Sequence, residues 1–124
     1  MQDASFGSYL APVWCRFIIG ICQRIPMRSW LGKRIAFILR KPVLLRKQSP
    51  VDVLVQGVRF RLQPHCNLSD KRLLSTPDLL DGVERDFFAD KLSFGSVLLD
   101  VGANIGGYGL LLAMARPDIK VLGV

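Results

Sequence analysis

The sequence predicts an α/β chain in which N-terminal helices and a β-hairpin precede the start of a parallel sheet. Three observations predict it. Apolar residues recur at helical spacing as far as residue 40, then switch to strict alternation at residue 51. "SVLLD" (96–100) runs into a glycine-rich turn and an apolar helical stretch. "DIKVLGV" (118–124) is a second strand-like run, which completes a βαβ order whose crossover is expected to be right-handed.

The 124 residues are 50% hydrophobic, enough for one domain with an ordinary core. Charge divides the chain in two. Residues 1–50 hold nine Lys and Arg against Asp3 alone, whereas residues 51–124 hold eight basic and nine acidic residues. The sequence is therefore read as a basic amphipathic helical region (1–50) followed by the N-terminal part of an α/β domain (51–124). The basic region suits either solvated helix faces or an anionic surface. No nucleic-acid partner is expected.

In "YLAPVWCRFIIGICQRI" (9–25), Leu10, Trp14, Phe17, Ile21 and Ile25 form a helical stripe that Pro26 closes. In "RSWLGKRIAFILR" (28–40), Trp30, Ile35, Ile38 and Leu39 are ringed by Arg28, Lys33, Arg34 and Arg40, and Pro42 stops the run. Each stripe is expected to pack on the domain that follows. The alternative is peripheral membrane contact through residues 9–47. The uncharged stretch between Arg16 and Arg24 is too short to span a bilayer, and no basic residue precedes Arg16 as a signal peptide requires.

"VDVLVQGVRFRL" (51–62) alternates, with Val58, Phe60 and Leu62 facing one way and Arg59 and Arg61 the other, towards solvent. Gln56-Gly57 supplies the hairpin turn. Residues 63–77 read mainly as loop. Residues 78–92 return to helical spacing, with Asp78 as N-cap, Leu79, Val83, Phe87 and Lys91 on one line, Leu80 and Phe88 beside it, and Asp81, Glu84, Asp86 and Asp90 on the wet side. Three cysteines, an odd number with no C-x-x-C, signal neither a disulfide framework nor zinc. Cys15 and Cys22 share one helix face and read as buried apolar residues, which suits a reducing, cytoplasmic compartment with membrane association left open. His65 beside Cys66 lacks further ligands at metal spacing, so no metal is expected.

The strand 96–100 is expected to be buried on both faces, as in a parallel sheet. Gly102 lets the chain leave the strand sharply and removes a Cβ where a ligand approaches. Gly106 lets the helix 106–115 begin close to the sheet. The helix N-terminus favours an anionic group. Asp100, at the carboxyl end of the strand, places a carboxylate in the same crevice; it would repel a nucleotide pyrophosphate and pair with an ammonium. The string Gly102-Ala-Asn-Ile-Gly106 lacks the middle glycine, at 104, of the dinucleotide fingerprint.

"LLDVGANIGGYG" (98–109) resembles motif I of the class I S-adenosylmethionine-dependent methyltransferases, in particular the FkbM-type family, whose pattern runs close to D-[VI]-G-A-N-I-G-Y-[YF]-[ST]. The acidic helix "DGVERDFF" and an "FG" step upstream are similar to that family too, so the resemblance covers roughly residues 51–124. It implies a Rossmann-like sheet and methyl transfer from S-adenosylmethionine to a hydroxyl of a small-molecule or glycan acceptor. By position, Asp100 would contact the methionyl amino group, Gly102 and Gly106 would line the methionyl and ribose side, and Ala103 and Asn104 would shape the loop. The family follows its second glycine with aromatic residues and a small hydroxyl. This chain has Gly107, Tyr108 and Gly109, and each extra glycine costs about 1 kcal/mol relative to Ala in a helix. The family's ribose-binding acidic residue would come just after the second strand. The resemblance thus implies the N-terminal fragment of a longer enzyme, inactive alone, with no catalytic residue assignable. An NAD-binding oxidoreductase fragment and a non-enzymatic basic membrane-surface module are the alternatives.

Overall fold

A computed structural model describes residues 4–124 as a mixed α/β fold with two small sheets. Helices α1 (Val13–Arg24), α2 (Trp30–Leu39) and α3 (Lys41–Leu45) come first. The hairpin strands β1 (Val51–Val55) and β2 (Val58–Leu62) follow. Next are α4 (Leu68–Ser75), a 3-10 turn at Pro77–Leu79 and α5 (Gly82–Lys91). The chain continues through β3 (Val97–Asp100), α6 (Gly107–Ala115) and β4 (Lys120–Gly123).

β1 and β2 pair antiparallel from Val51↔Leu62 to Val55↔Val58. Gln56 and Gly57 both take positive φ, as a two-residue hairpin turn requires. β3 and β4 pair parallel from Val97↔Lys120 to Asp100↔Gly123, so the βαβ order read from the sequence is present. The core lies under the hairpin. Val51, Val53, Val55, Phe60 and Leu62 pack with Cys15 and Ile19 of α1, Leu73 and Leu74 of α4, and Leu111 of α6.

The structure corrects four expectations about the helices and the hairpin. The first concerns α1. It does pack on the hairpin region, but through Cys15 and Ile19, with Cys22 buried against α2, while the predicted stripe of Leu10, Trp14, Phe17 and Ile21 faces outward. In α2 the buried residues are Gly32 and Ala36, and Trp30, Ile35 and Ile38 are exposed. Small residues win the inner face because they let the helices approach. A Cβ on Gly32 would lie 2.4 Å from the Pro26 carbonyl oxygen, and the Cys22 thiol reaches the Ala36 carbonyl at 3.7 Å.

The second lies at residues 63–77, which contain helix α4 instead of loop throughout. Asn67 caps it, accepting from the Ser69 N–H at 2.8 Å, and Leu73 and Leu74 are at the centre of the core. Asn67 followed by Asp70 three residues on was the legible start signal. Asp70 is buried and accepts from the Gln63 N–H at 2.6 Å.

Third, α5 starts at Gly82 and not at Asp78. Asp81 sits in the left-handed region (φ 53°), which breaks helical phase between Leu79 and Val83. Val83 and Phe87 therefore face solvent and Arg85 is buried. Fourth, Arg61 is not simply solvated. Its Nε donates to Asp52 at 2.7 Å and its NH groups donate to the carbonyls of Ala4 and Ser5.

Candidate functional site

The crevice of interest lies at the carboxyl end of β3. It is open and holds about 470 Å³. Asp100, Gly102, Ala103 and Asn104 line it, together with Tyr108 from α6 and Asp81, Glu84 and Phe88 from the α5 segment. Four of the five residues singled out in the sequence thus share one surface. Gly106 does not line it; it is the N-cap of α6, at φ 74°.

The turn is built from residues that tolerate positive φ. Gly102 (φ 77°) has open space where a Cβ would project, so the backbone is approachable there. Asn104 (φ 53°) also occupies the left-handed region, which Asn tolerates better than most residues. The Asn104 side-chain oxygen accepts from the Asn67 amide at 3.4 Å, which joins the turn to the cap of α4. The N–H groups of Gly102 and Ala103 both reach the Val124 carbonyl, at 2.8 and 3.2 Å, so the turn continues the pairing of β4.

The helix start differs from the sequence expectation in one informative way. The close approach of helix to sheet occurs at Gly109, not at Gly106. A Cβ on Gly109 would meet Val121 Cγ1 at 2.8 Å and Asp100 Oδ2 at 3.1 Å, whereas one on Gly106 would meet only the Leu110 side chain at 3.4 Å. A glycine at 109 is therefore required by packing. No side chain caps the N-terminus of α6. Its partial positive charge is available to a ligand group in the crevice.

Asp100 Oδ2 is buried and accepts no hydrogen bond. That oxygen lies against Gly109 on the α6 side of the strand, and a buried acceptor without a partner is costly. Asp81, Glu84 and Asp100 all line the crevice, and no Lys or Arg is among its lining residues. Burial raises the Tyr108 hydroxyl pKa above its ordinary value, and Glu84 adds to the rise. Sequence reading placed Asp81 and Glu84 on the wet side of α5 and did not bring them to the site. The signal was indirect: both lie in the acidic segment that precedes the motif.

Among the described residues no group of three or more His, Cys, Asp and Glu is arranged to hold a metal. No family model matches this chain, and no curated protein or solved structure matches it either.

Proposed function

We propose that the crevice binds S-adenosylmethionine in the manner of a class I, FkbM-like methyltransferase acting on a hydroxyl of a small-molecule or glycan acceptor. On this reading β3–α6–β4 is the first βαβ unit of a Rossmann-like sheet. The observation that carries it is electrostatic. Three carboxylates and no cation line the crevice. Such a site favours a ligand with an ammonium or sulfonium and repels a pyrophosphate, which disfavours the NAD alternative.

Asp100 would pair with the amino group of the methionyl moiety. Gly102 would let the ligand lie against the backbone, and Ala103 and Asn104 would shape the wall. When bound, the cofactor supplies an electrophilic methyl group on its sulfonium. The protein's part is to hold that methyl group in line with the acceptor oxygen.

The test is a titration of the isotope-labelled chain with S-adenosylhomocysteine, followed by nuclear magnetic resonance. It should move the amide signals of Asp100, Gly102, Asn104 and Tyr108 even if binding is weak. Asp100→Asn should abolish the shifts, and NAD should leave the signals in place. Movement of these signals by NAD and not by S-adenosylhomocysteine would overturn the reading.

A further inference from the structure

Between Ala4 and Lys47 the chain carries nine Lys and Arg and no Asp or Glu. In this stretch the outward sides of three helices are apolar. On α1 the exposed row is Val13, Trp14, Phe17 and Ile21, with Phe17 70% exposed. On α2 it is Trp30, Leu31, Ile35 and Ile38, with Trp30 69% exposed, and on α3 it is Leu45. These helices pack against one another, and the Arg46 guanidinium at the end of α3 lies 5.9 Å from the Trp14 ring, which joins the rows. Water-exposed apolar rows of this extent mark a binding surface.

Two of the cations lie over aromatic rings of α2. Arg34 stacks over Trp30 at 4.9 Å and Arg40 over Phe37 at 4.3 Å. Among the described residues, none of the nine cations forms an ion pair, since the ion pairs are Asp52–Arg61 and Asp118–Arg116. Tryptophan and arginine side by side above aliphatic side chains is the arrangement that suits the headgroup layer of a bilayer. A nucleic-acid surface would instead direct polar donors outward, where this one presents Val13, Phe17 and Ile38.

We infer that the outward faces of α1, α2 and α3 seat on an anionic lipid surface, the helices lying in the headgroup plane and their cations meeting lipid phosphates. Among the described residues no helix is long and apolar enough to cross a membrane, so the contact is peripheral. α5 is an internal control. Val83 and Phe87 are as exposed as the α1 row, but Asp81, Glu84, Asp86 and Asp90 surround them, and anionic lipid would repel that face.

The test uses vesicles of phosphatidylcholine with and without phosphatidylglycerol. The only two tryptophans, Trp14 and Trp30, both lie on the proposed face, so intrinsic fluorescence reports insertion directly. The chain should co-sediment with the anionic vesicles alone, with a blue shift, and come off as salt rises. Phe17→Ser should weaken binding by about tenfold or more. Arg34→Ser should weaken it by about fivefold. Phe87→Ser should leave it unchanged. All three positions are exposed, so circular dichroism should show an intact fold in each variant. Absence of binding at low salt, binding without a tryptophan shift, or equal damage from Phe87→Ser would overturn the inference. Binding to heparin but not to vesicles would overturn it as well, and would assign the cations to a soluble polyanion.

Discussion

In the hairpin half, the alternating residues Val51, Val53, Val55, Phe60 and Leu62 are buried because α1 and α4 cover them. In the βαβ half, the equally apolar Val97, Leu99, Leu122 and the adjoining Val101 are exposed. α6 packs against one side of β3 and β4, through Gly109 on Val121, and nothing described covers the other side. The expectation of a strand buried on both faces is therefore not met: β3 is half-buried on one face and exposed on the other. The difference teaches that an apolar strand marks a surface in need of a cover, while the cover itself belongs to another element. The two halves also fasten themselves differently. Asp52 is buried and accepts from the Gly7 and Tyr9 N–H groups as well as from Arg61. Asp118 pairs with Arg116 nearer the surface, and Arg116 also donates to the carbonyls of Ala89 and Leu92 at the end of α5.

The largest expected effect tests the covered half against the open one. Leu73 is fully buried, and Leu73→Ala should cost about 2–5 kcal/mol in urea denaturation. Leu99 is 58% exposed, and Leu99→Ala should cost about 0.5 kcal/mol or less. Equal costs would break the comparison by showing that the β3–β4 face is covered in solution.

Acid should separate the two ion pairs next. Hydrogen bonding, led by Arg61, holds the Asp52 carboxyl at about 2, and Arg116 holds Asp118 at about 2. Both folded values lie below the unfolded one. Each contribution is therefore fully present above the ordinary carboxylate range and is lost as pH falls from near 4 towards about 2. Asp52→Asn should cost about 1–3 kcal/mol at neutral pH and flatten most of that acid loss. Asp118→Asn should flatten it less, because water screens the more exposed carboxylate. Stability curves measured across this pH range decide the order, and the reverse order would contradict the contrast in burial.

The smallest effect is a change of sign. Gly20 lies inside α1 with open space around a Cβ, so Gly20→Ala should stabilise the chain by about 0.5–1 kcal/mol. The same change at Gly109 should destabilise it by about 1 kcal/mol, since overpacking against Val121 outweighs the helix-propensity gain. Melting curves of the two variants should move in opposite directions.

Local chemistry was legible in the sequence by itself. Alternation and Gln56-Gly57 placed the hairpin, Pro26 closed α1, and the order from Asp100 through Gly106 placed a turn between strand and helix, whereas Pro42 sits in the first turn of α3 and does not end the helical region. These features depend on a few neighbouring residues and their allowed φ, so no distant partner was needed to read them. The tertiary structure alone decided which side of each element is covered. Trp14 and Phe17 outweigh Cys15 and Cys22 in apolar surface, yet the cysteine side faces the core, where smaller side chains permit close approach to α2. It also brought Asp81 and Glu84 to Asp100, and set Gly109 against Val121. The physical reason is that hydrophobic attraction has no direction. A stripe states that a surface is apolar, and only the fit of distant side chains determines whether protein covers it or leaves it free.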